Sequence, residues 1–376
     1  MGTGFIARQF TRTFHNRQGL RVEKVLTRRD LNQVNDFPQA DALTNALDDL
    51  LESCDVVVEC SGDAIYASDV VSGAFAAERP VVTMNSEFHV TAGSYFVGKG
   101  RLTESEGDQP GALAALHRFV TEMGFRPLVY GNLKGFLNHN PTRKEMERWA
   151  AKQGISLAMN TAFTDGTKVQ IEQALVANAF GATIAQTGML GPREEDFEAA
   201  GAKLASHAHR LDQPISDYVV STRAPHGVFI VADHDNADPA ALKYFKLGDG
   251  PTYLLLRPNI FVHLELPRTI RQLLRTGEQL LDNSPNPTIG IAALTKQPVK
   301  SGARIETAIG SFEFRGTAIR IRDFPGHVPI GLLQDAVIVR DLEPEQMVMI
   351  DDVELPQTTA LRAWQSIHDR VTKAGP

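Results

Sequence analysis

An α/β protein is what this 376-residue sequence predicts: a doubly wound parallel sheet whose first strand is cut short, a central α/β catalytic region, and a C-terminal β-rich module. Three observations carry that expectation. A glycine-rich turn occupies the first seven residues, short apolar runs alternate with helical spacing as far as residue 106, and beyond residue 287 the apolar runs are broken by Gly and Pro.

Gly2, Gly4 and Ala7 fit the pattern G-x-G-x-x-G/A. In it, one glycine makes the tight turn, the second lets backbone approach a pyrophosphate, and the third, small position lets helix pack on strand. Phe5 and Ile6 stand where the turn opens a helix, and residues 5–14 contain neither Gly nor Pro, so the first amides of that helix should point at phosphate. The turn is thus a Rossmann-like, dinucleotide-binding one. Its strand order, 3-2-1-4-5-6, makes strand one central, yet a single residue precedes Gly2. We expect a reading frame longer by roughly six to fifteen residues, given strands of five or six. A chain starting at Met1 should bind its cofactor weakly or borrow a strand.

Residues 21–27 are a β-rich run, 42–51 have helical spacing, and 55–62 read as a buried parallel strand ending in a turn. A helix over 66–77 leads to a strand over 80–84, and 101–106 adds a sixth strand. Ligands of such a sheet lie outside the carboxyl ends of its strands, which brings Cys60, Ser61, Gly62 and Asn85 to the cofactor. The second strand ends at Thr27-Arg28-Arg29, where an acidic residue would bond the ribose hydroxyls of NAD. Arg28 and Arg29 suit a 2′-phosphate and favour NADP, while Asp30 leaves NAD open.

The domain division follows: 1–106 binds NAD(P), 107–286 is catalytic and dimerising, and 287–376 is the β-rich domain. Helices are expected over 111–123, 142–153, 168–180 and 194–209, with strands over 217–221, 228–233 and 253–256. After residue 287 the helix signal fades and strands fall over 289–294, 312–321 and 335–339.

Apolar content of 43%, charged content of 22% and a net charge of -7 show no basic bias toward nucleic acid. No apolar run approaches the roughly 20 residues of a membrane span, and no signal-peptide pattern opens the chain. A cytoplasmic homo-oligomer acting on a small-molecule substrate is expected. Cys54 and Cys60 read as reduced thiols without a metal cluster, Cys60 as a buried one.

Four constellations could carry chemistry. Ser105-Glu-Gly-Asp-Gln-Pro-Gly111 joins strand to helix; Glu106 and Asp108 either face substrate hydroxyls or serve the positive end of the helix. Residues 130–143 gather Lys134, Asn138, His139, Asn140 and Arg143 into one polar loop, in which a Thr142–Glu145 capping box explains part of the polarity but not Lys134. Asp165, Lys168 and Glu172 fall on one helix face. A lysine beside a carboxylate can protonate a carbonyl oxygen while hydride is delivered; the plain alternative is an ion pair on a solvated face that Gln170 and Gln173 share. His327, in a Gly-Pro turn, reaches a phosphate or carboxylate, or is a turn histidine without function.

The segments Gly2-Thr-Gly-Phe-Ile-Ala7, Val81-Val-Thr-Met-Asn85, Glu106-Gly-Asp-Gln-Pro-Gly111, Tyr244-Phe-Lys-Leu-Gly-Asp-Gly250, Arg257-Pro258, Val337-Ile-Val-Arg-Asp-Leu-Glu-Pro344 and Ile350-Asp-Asp-Val353 occur in this order. With them the chain resembles the homoserine dehydrogenase-like oxidoreductases. It is most similar to their branch with a C-terminal antifreeze-like (SAF) module, which includes the 1-deoxy-D-xylulose 5-phosphate reductoisomerase-like proteins. True homoserine dehydrogenases carry a catalytic lysine in an Ala-Asn-Lys element; here the matching positions are Met84, Asn85 and Ser86, which argues against homoserine. Their later Asp and Lys pair is approximated by Asp165 and Lys168, one residue closer together. Residues and resemblance together point to an NADP-dependent oxidoreductase with the nicotinamide over Cys60, Ser61 and Asn85. Lys134 and Lys168 would polarise a carbonyl or hydroxyl, Asp165 would hold Lys168, and Lys134, Asn140, Arg143 and Lys168 in concert suit a small, polar substrate, phosphorylated or not, that Glu172 also contacts. The other reading is a non-catalytic carbohydrate-binding or assembly protein that retains the nucleotide fold.

Overall fold

The computed structural model describes residues 1–34 and 36–373. Its first unit is a parallel sheet in two parts: Val25–Leu26 pairs with Leu43–Thr44, and Val57–Glu59, Val81–Thr83 and Leu102–Glu104 pair in that order. Met1 and Gly2 bridge the parts. The Met1 amino group donates to the Val58 carbonyl at 2.5 Å, the Cys60 amide donates to the Met1 carbonyl at 3.3 Å, and the Gly2 amide donates to the Leu26 carbonyl at 2.9 Å. Counting those two residues as strand one, the order is the expected 3-2-1-4-5-6.

Apolar side chains of alternating strand residues face two helical layers, as a buried parallel sheet requires. On one side Val82 and Met84 meet Phe10 and Phe14 of the helix Phe5–Phe14, together with Leu266, Ile270 and Leu273 of the helix Leu266–Thr276. On the other, Leu26, Val57 and Val81 meet the helices Leu47–Ser53 and Ala64–Ala76. The helical spacing over 42–51 is partly overruled: Leu43 and Thr44 pair with Val25 and Leu26, and the helix begins only at Leu47.

The second unit is a four-stranded sheet ordered Ile215–Val220, Arg126–Lys134, Gly227–Asp233, Tyr253–Pro258, parallel in its first pair and antiparallel in the others. The loop expected over 130–143 therefore starts later, because strand pairing runs as far as Lys134. The helix Phe197–Leu211 covers one face of this sheet. The helix Thr167–Phe180 covers the other and is itself buried from Thr167 to Asn178. Against its far side lies the β-rich unit, with Ile289–Thr295 antiparallel to Phe314–Arg320 and a small sheet of Arg304–Ile305, Ala336–Ile338 and Val353–Glu354. The fading helix signal missed the helix Thr359–Lys373, whose Ala360, Leu361 and Trp364 join the core of the first unit. Among the described residues no helix is long and apolar enough to cross a membrane.

Gly131 lies in the middle of its strand because a Cβ there would stand 2.0 Å from the Phe229 ring. Gly131→Ala should therefore destabilise the fold by about 1–3 kcal/mol, read as a lower urea midpoint at an unchanged slope; a midpoint equal to the parent's would contradict this packing.

Candidate active site

At the opening turn Gly2 has a φ of +98°, and a Cβ there would lie 3.1 Å from the Cys60 carbonyl oxygen. A Cβ on Gly4 would meet nothing within 4 Å, so the turn faces open space at that point. Gly4 also caps the helix Phe5–Phe14 without any side-chain hydrogen bond, so its first-turn amides are left to an external acceptor. These residues fit a dinucleotide pyrophosphate. Phe5 meets His263 edge-on and Ile6 packs with the Phe10 cluster, so both offer the turn their backbone alone.

Around the turn, Ala7 is buried against Val25 and Phe37. Arg28 bonds Asp63 at 2.5 Å and lies 4.4 Å over the Tyr66 ring, whereas the exposed Arg29 donates only its amide, to Thr27. Gly62 has a φ of +69°. The Ser61 amide donates to the buried Glu59 carboxylate at 2.7 Å. The Cys60 thiol donates to the Met1 carbonyl at 3.1 Å, and burial pushes its pKa up to about 11, so it is a packing residue and no nucleophile. Asn85 caps the short helix Ser86–Phe88 by accepting from the Phe88 amide at 3.0 Å.

Two residues beyond Asn85, Glu87 meets Lys168. Both carboxylate oxygens lie 3.0 Å from the Lys168 amine, and Asp108 lies 3.8 Å from it. Asp108 also caps the helix Gln109–Glu122 and accepts from the Ser86 hydroxyl at 3.0 Å. Burial alone would depress the Lys168 pKa; the carboxylates of Glu87, Asp108 and Glu172 outweigh it and raise it above the ordinary lysine value. One helical turn on, Glu172 accepts from Lys134 at 3.1 Å and from Asn132 at 2.8 Å. With its amide nitrogen toward the carboxylates, Gln109 reaches Asp108 at 2.6 Å and Glu172 at 3.2 Å. Lys134, Lys168, Glu172 and Asp108 thus form one cluster, completed by Glu87, Asn132 and Gln109.

Other expected partners separate. Asp165 does not hold Lys168: it ends the helix Leu157–Thr164 and bonds the Thr167 amide and Lys296, each at 2.9 Å. The left-handed Gly166, φ +86°, turns the chain between Asp165 and Lys168, so their spacing is not that of one continuous helix. Glu106 is taken up by Arg257 and Arg268, each at 2.8 Å. Asn140 is exposed and donates its amide to Asn138, and Arg143 lies over Phe312 beside Glu147, outside the lysine cluster. His327 is buried in the β-rich unit, bonded to the Phe324 carbonyl at 2.9 Å and edge-on to Trp364, with burial lowering its pKa to about 4. Gln170 and Gln173, read as polar surface, are both buried.

A family model described as "Oxidoreductase DRL, catalytic domain" matches residues 107–266, and one described as "Homoserine dehydrogenase, NAD binding domain" matches residues 2–94. These matches mark an NAD(P)-binding oxidoreductase. No curated protein matches the chain. Among solved structures, it is similar to UDP-N-acetylglucosamine 3-dehydrogenase GnnA from Acidithiobacillus ferrooxidans, with 10% identity over 75% of this chain and 90% of that one and a TM-score of 0.40. An NAD-binding protein from Listeria innocua has 11% identity over 75% and 88%, with a TM-score of 0.36. An oxidoreductase from Bacillus cereus has 11% identity over 74% and 88%, with a TM-score of 0.38.

Behind the cluster of this oxidoreductase lie two groups that sequence reasoning missed. His89 and Glu104 are fully buried 3.4 Å apart. Burial raises the Glu104 carboxyl well above its ordinary value and lowers the His89 imidazole to about 3. A carboxyl whose native pKa is raised takes up a proton on folding at pH values between its ordinary 4.5 and that raised native value, and stability falls as pH rises through this window. Glu104→Gln should therefore leave stability unchanged at pH 4 and raise it relative to the parent as pH climbs above 5, at up to about 1.4 kcal/mol per pH unit within the window. Equal denaturation midpoints for the two proteins at pH 8 would contradict the assignment.

Proposed function

We propose that this oxidoreductase transfers a hydride from NADPH to the carbonyl carbon of a small, polar, phosphorylated substrate, with Lys168 delivering the proton to oxygen. The observation that carries the reading is the Lys168–Glu87 ion pair. It joins the start of a helix in the second unit to the segment just past Asn85, at the carboxyl end of the strand Val81–Thr83. In an open parallel sheet that rim is where a dinucleotide ends and a substrate begins.

The bound nicotinamide supplies the hydride. Lys168 donates a hydrogen bond to the carbonyl oxygen and then its proton as the carbon–oxygen π bond breaks, leaving an alcohol and a neutral amine. Its raised pKa keeps it charged at neutral pH and holds its proton more tightly, so it acts first as a hydrogen-bond donor to the carbonyl oxygen and gives up the proton only to the strongly basic alkoxide that hydride addition creates. Glu87 and Asp108 stabilise the ammonium before transfer and aim it. Lys134 is held by Glu172 yet keeps 14% of its side chain exposed, so it can pair with an anionic substrate group. Burial raises the Glu172 pKa, and Lys134 and Lys168 beside it pull it back only part of the way.

NADP in preference to NAD rests on Arg28, which Asp63 and the Tyr66 ring hold at the end of the strand Val25–Leu26. We read the β-rich unit as SAF-like; its Gln334 reaches Asp63 at 3.4 Å and so braces the same rim.

Two measurements test the reading. Arg28→Ala should weaken NADPH binding, followed by nucleotide fluorescence, about tenfold more than NADH binding; equal losses would remove the case for NADP. Lys168→Met should slow NADPH oxidation by phosphorylated ketones and aldehydes by a factor of about 10²–10⁴ while leaving NADPH affinity near the parent's. Parallel loss of both would make Lys168 a structural ion-pair residue only.

A further inference from the structure

Of the polar loop that follows Lys134, His139 has no part in the lysine cluster. It stands over the turn that starts the helix Thr167–Phe180, where a Cβ on Gly166 would lie 3.4 Å from its ring. Beside it, the Leu137 carbonyl accepts from Arg193 at 2.8 Å. Arg193 lies along the outer edge of the second sheet, where it bridges to Val220. From the β-rich unit comes Arg315, on the strand Phe314–Arg320. Burial lowers the His139 pKa, and the Arg315 and Arg193 guanidiniums lower it further, so both cations reach one ring. At Tyr218, where burial and Asp217 push the hydroxyl pKa up to about 12, the same two guanidiniums pull the other way.

Charge and donors are both in excess here. Among the described residues Arg193 has no carboxylate partner, and Arg315 has only Glu345, at 2.6 Å on the exposed rim. Arg315 gives a second nitrogen to Thr317 Oγ1 at 3.2 Å, and its third, Nε, is buried without an acceptor. Native structures leave few buried N–H groups in that state. The Tyr218 hydroxyl and the His139 ring make no hydrogen bond among the described residues. Gly191 leaves room for that hydroxyl, since a Cβ there would stand 2.5 Å from its oxygen.

This cluster is separate from the one around Lys168. Gln170, about 200° round the helix from Lys168, accepts from the Ala318 amide at 2.8 Å and donates to the Gly316 carbonyl at 3.4 Å. The strand that carries Arg315 therefore packs on the helix face opposite to Lys168 and Glu87.

We propose that Arg193, Arg315, His139 and the Tyr218 hydroxyl form a second anion site, which takes a phosphate group, free or as a monoester. A tetrahedral dianion answers both excesses. Its oxygens accept from Arg315 Nε, the remaining Arg193 N–H groups, the phenol and the imidazole. With the imidazole protonated, three cations face Glu345, and the dianion brings the sum to zero. A carboxylate has one charge and two oxygens, too few for these donors. The site goes beyond the proposed function, which uses only the lysine cluster.

Isothermal titration of the 376-residue protein with inorganic phosphate tests it. The dissociation constant should be about 1 mM or below. Arg193→Gln and Arg315→Gln should each weaken binding about tenfold or more. Tyr218→Phe, which keeps the ring and its packing, should weaken it about threefold or more, and Lys134→Gln should leave it within about twofold. No binding by the parent at about 10 mM phosphate would overturn the proposal. So would binding that is lost in Lys134→Gln and kept in the other three variants. Given the expected pattern, phosphate that competes with a phosphorylated carbonyl compound marks the site as holding a phosphate of the substrate. Phosphate that alters NADPH oxidation without competing marks a free effector. Phosphate bound with this pattern by a protein that oxidises no NADPH would uphold the site and count against the hydride-transfer reading.

Discussion

Everything that converges on the candidate site depends on one helix, Thr167–Phe180, being buried on all sides while carrying polar residues that no apolar core would choose. Each of them is matched by a different neighbour. Lys168 goes to Glu87 of the nucleotide unit, Glu172 to Asn132 and Lys134 of the second sheet, and Gln173 to the Tyr130 and Asp217 carbonyls. Gln170 bonds the Gly316 carbonyl and the Ala318 amide, and Asn178 bonds the Ile289 backbone, both in the β-rich unit. A buried polar group left unpaired costs about 1–3 kcal/mol, so sliding the helix by even one residue would break contacts to all three units together. The helix sets their relative positions by the number of bonds that must be satisfied at once.

That constraint explains the electrostatics of the cluster. An isolated lysine in such surroundings would lose its proton, and carboxylates packed together would gain one. Arranged as here, Lys168 is held charged by Glu87 and Asp108, and Lys134 pairs with Glu172. Glu104 has no cation in contact and has been driven to the protonated side, with His89 neutral beside it. The two environments are adjacent and opposite: one sustains charge, and the other holds neutral groups.

How far the sequence reveals this depends on whether the determining contact is local. The glycine turn, the parallel strands around Val57–Glu59 and Val81–Thr83, and the Thr142–Glu145 capping box are local, and each is legible from residue type and spacing. Lys168 and Glu172 were legible as candidates, yet their partners lie 81 and 40 residues away in Glu87 and Asn132, beyond any periodicity. Spacing therefore suggested Asp165, the nearest carboxylate along the chain, and Gly166 defeats that inference by starting a new helix between them. The polar faces of Gln170 and Gln173 misled for a related reason: polarity normally marks solvent, and here it marks backbone of the β-rich unit and of the second sheet. The helix Thr359–Lys373 escaped because its amphipathic pattern follows a Gly- and Pro-broken stretch and docks on the first unit, not on its own neighbours.

The same non-local logic runs through the rim that faces the nucleotide. Ser86 donates to Asp108, and Asp108 lies against Lys168; Glu87, next in sequence to Ser86, bonds Lys168 directly. Two successive residues at one strand end thus grip the lysine along separate routes. A displacement of that strand end relative to the central helix would lengthen both contacts at once. Proton transfer tolerates little such error, since a misplacement of about 1 Å can cost a hundredfold in rate. The double grip therefore ties Lys168, the proton donor we propose, to the end of the strand Val81–Thr83 at the rim of the nucleotide-binding unit.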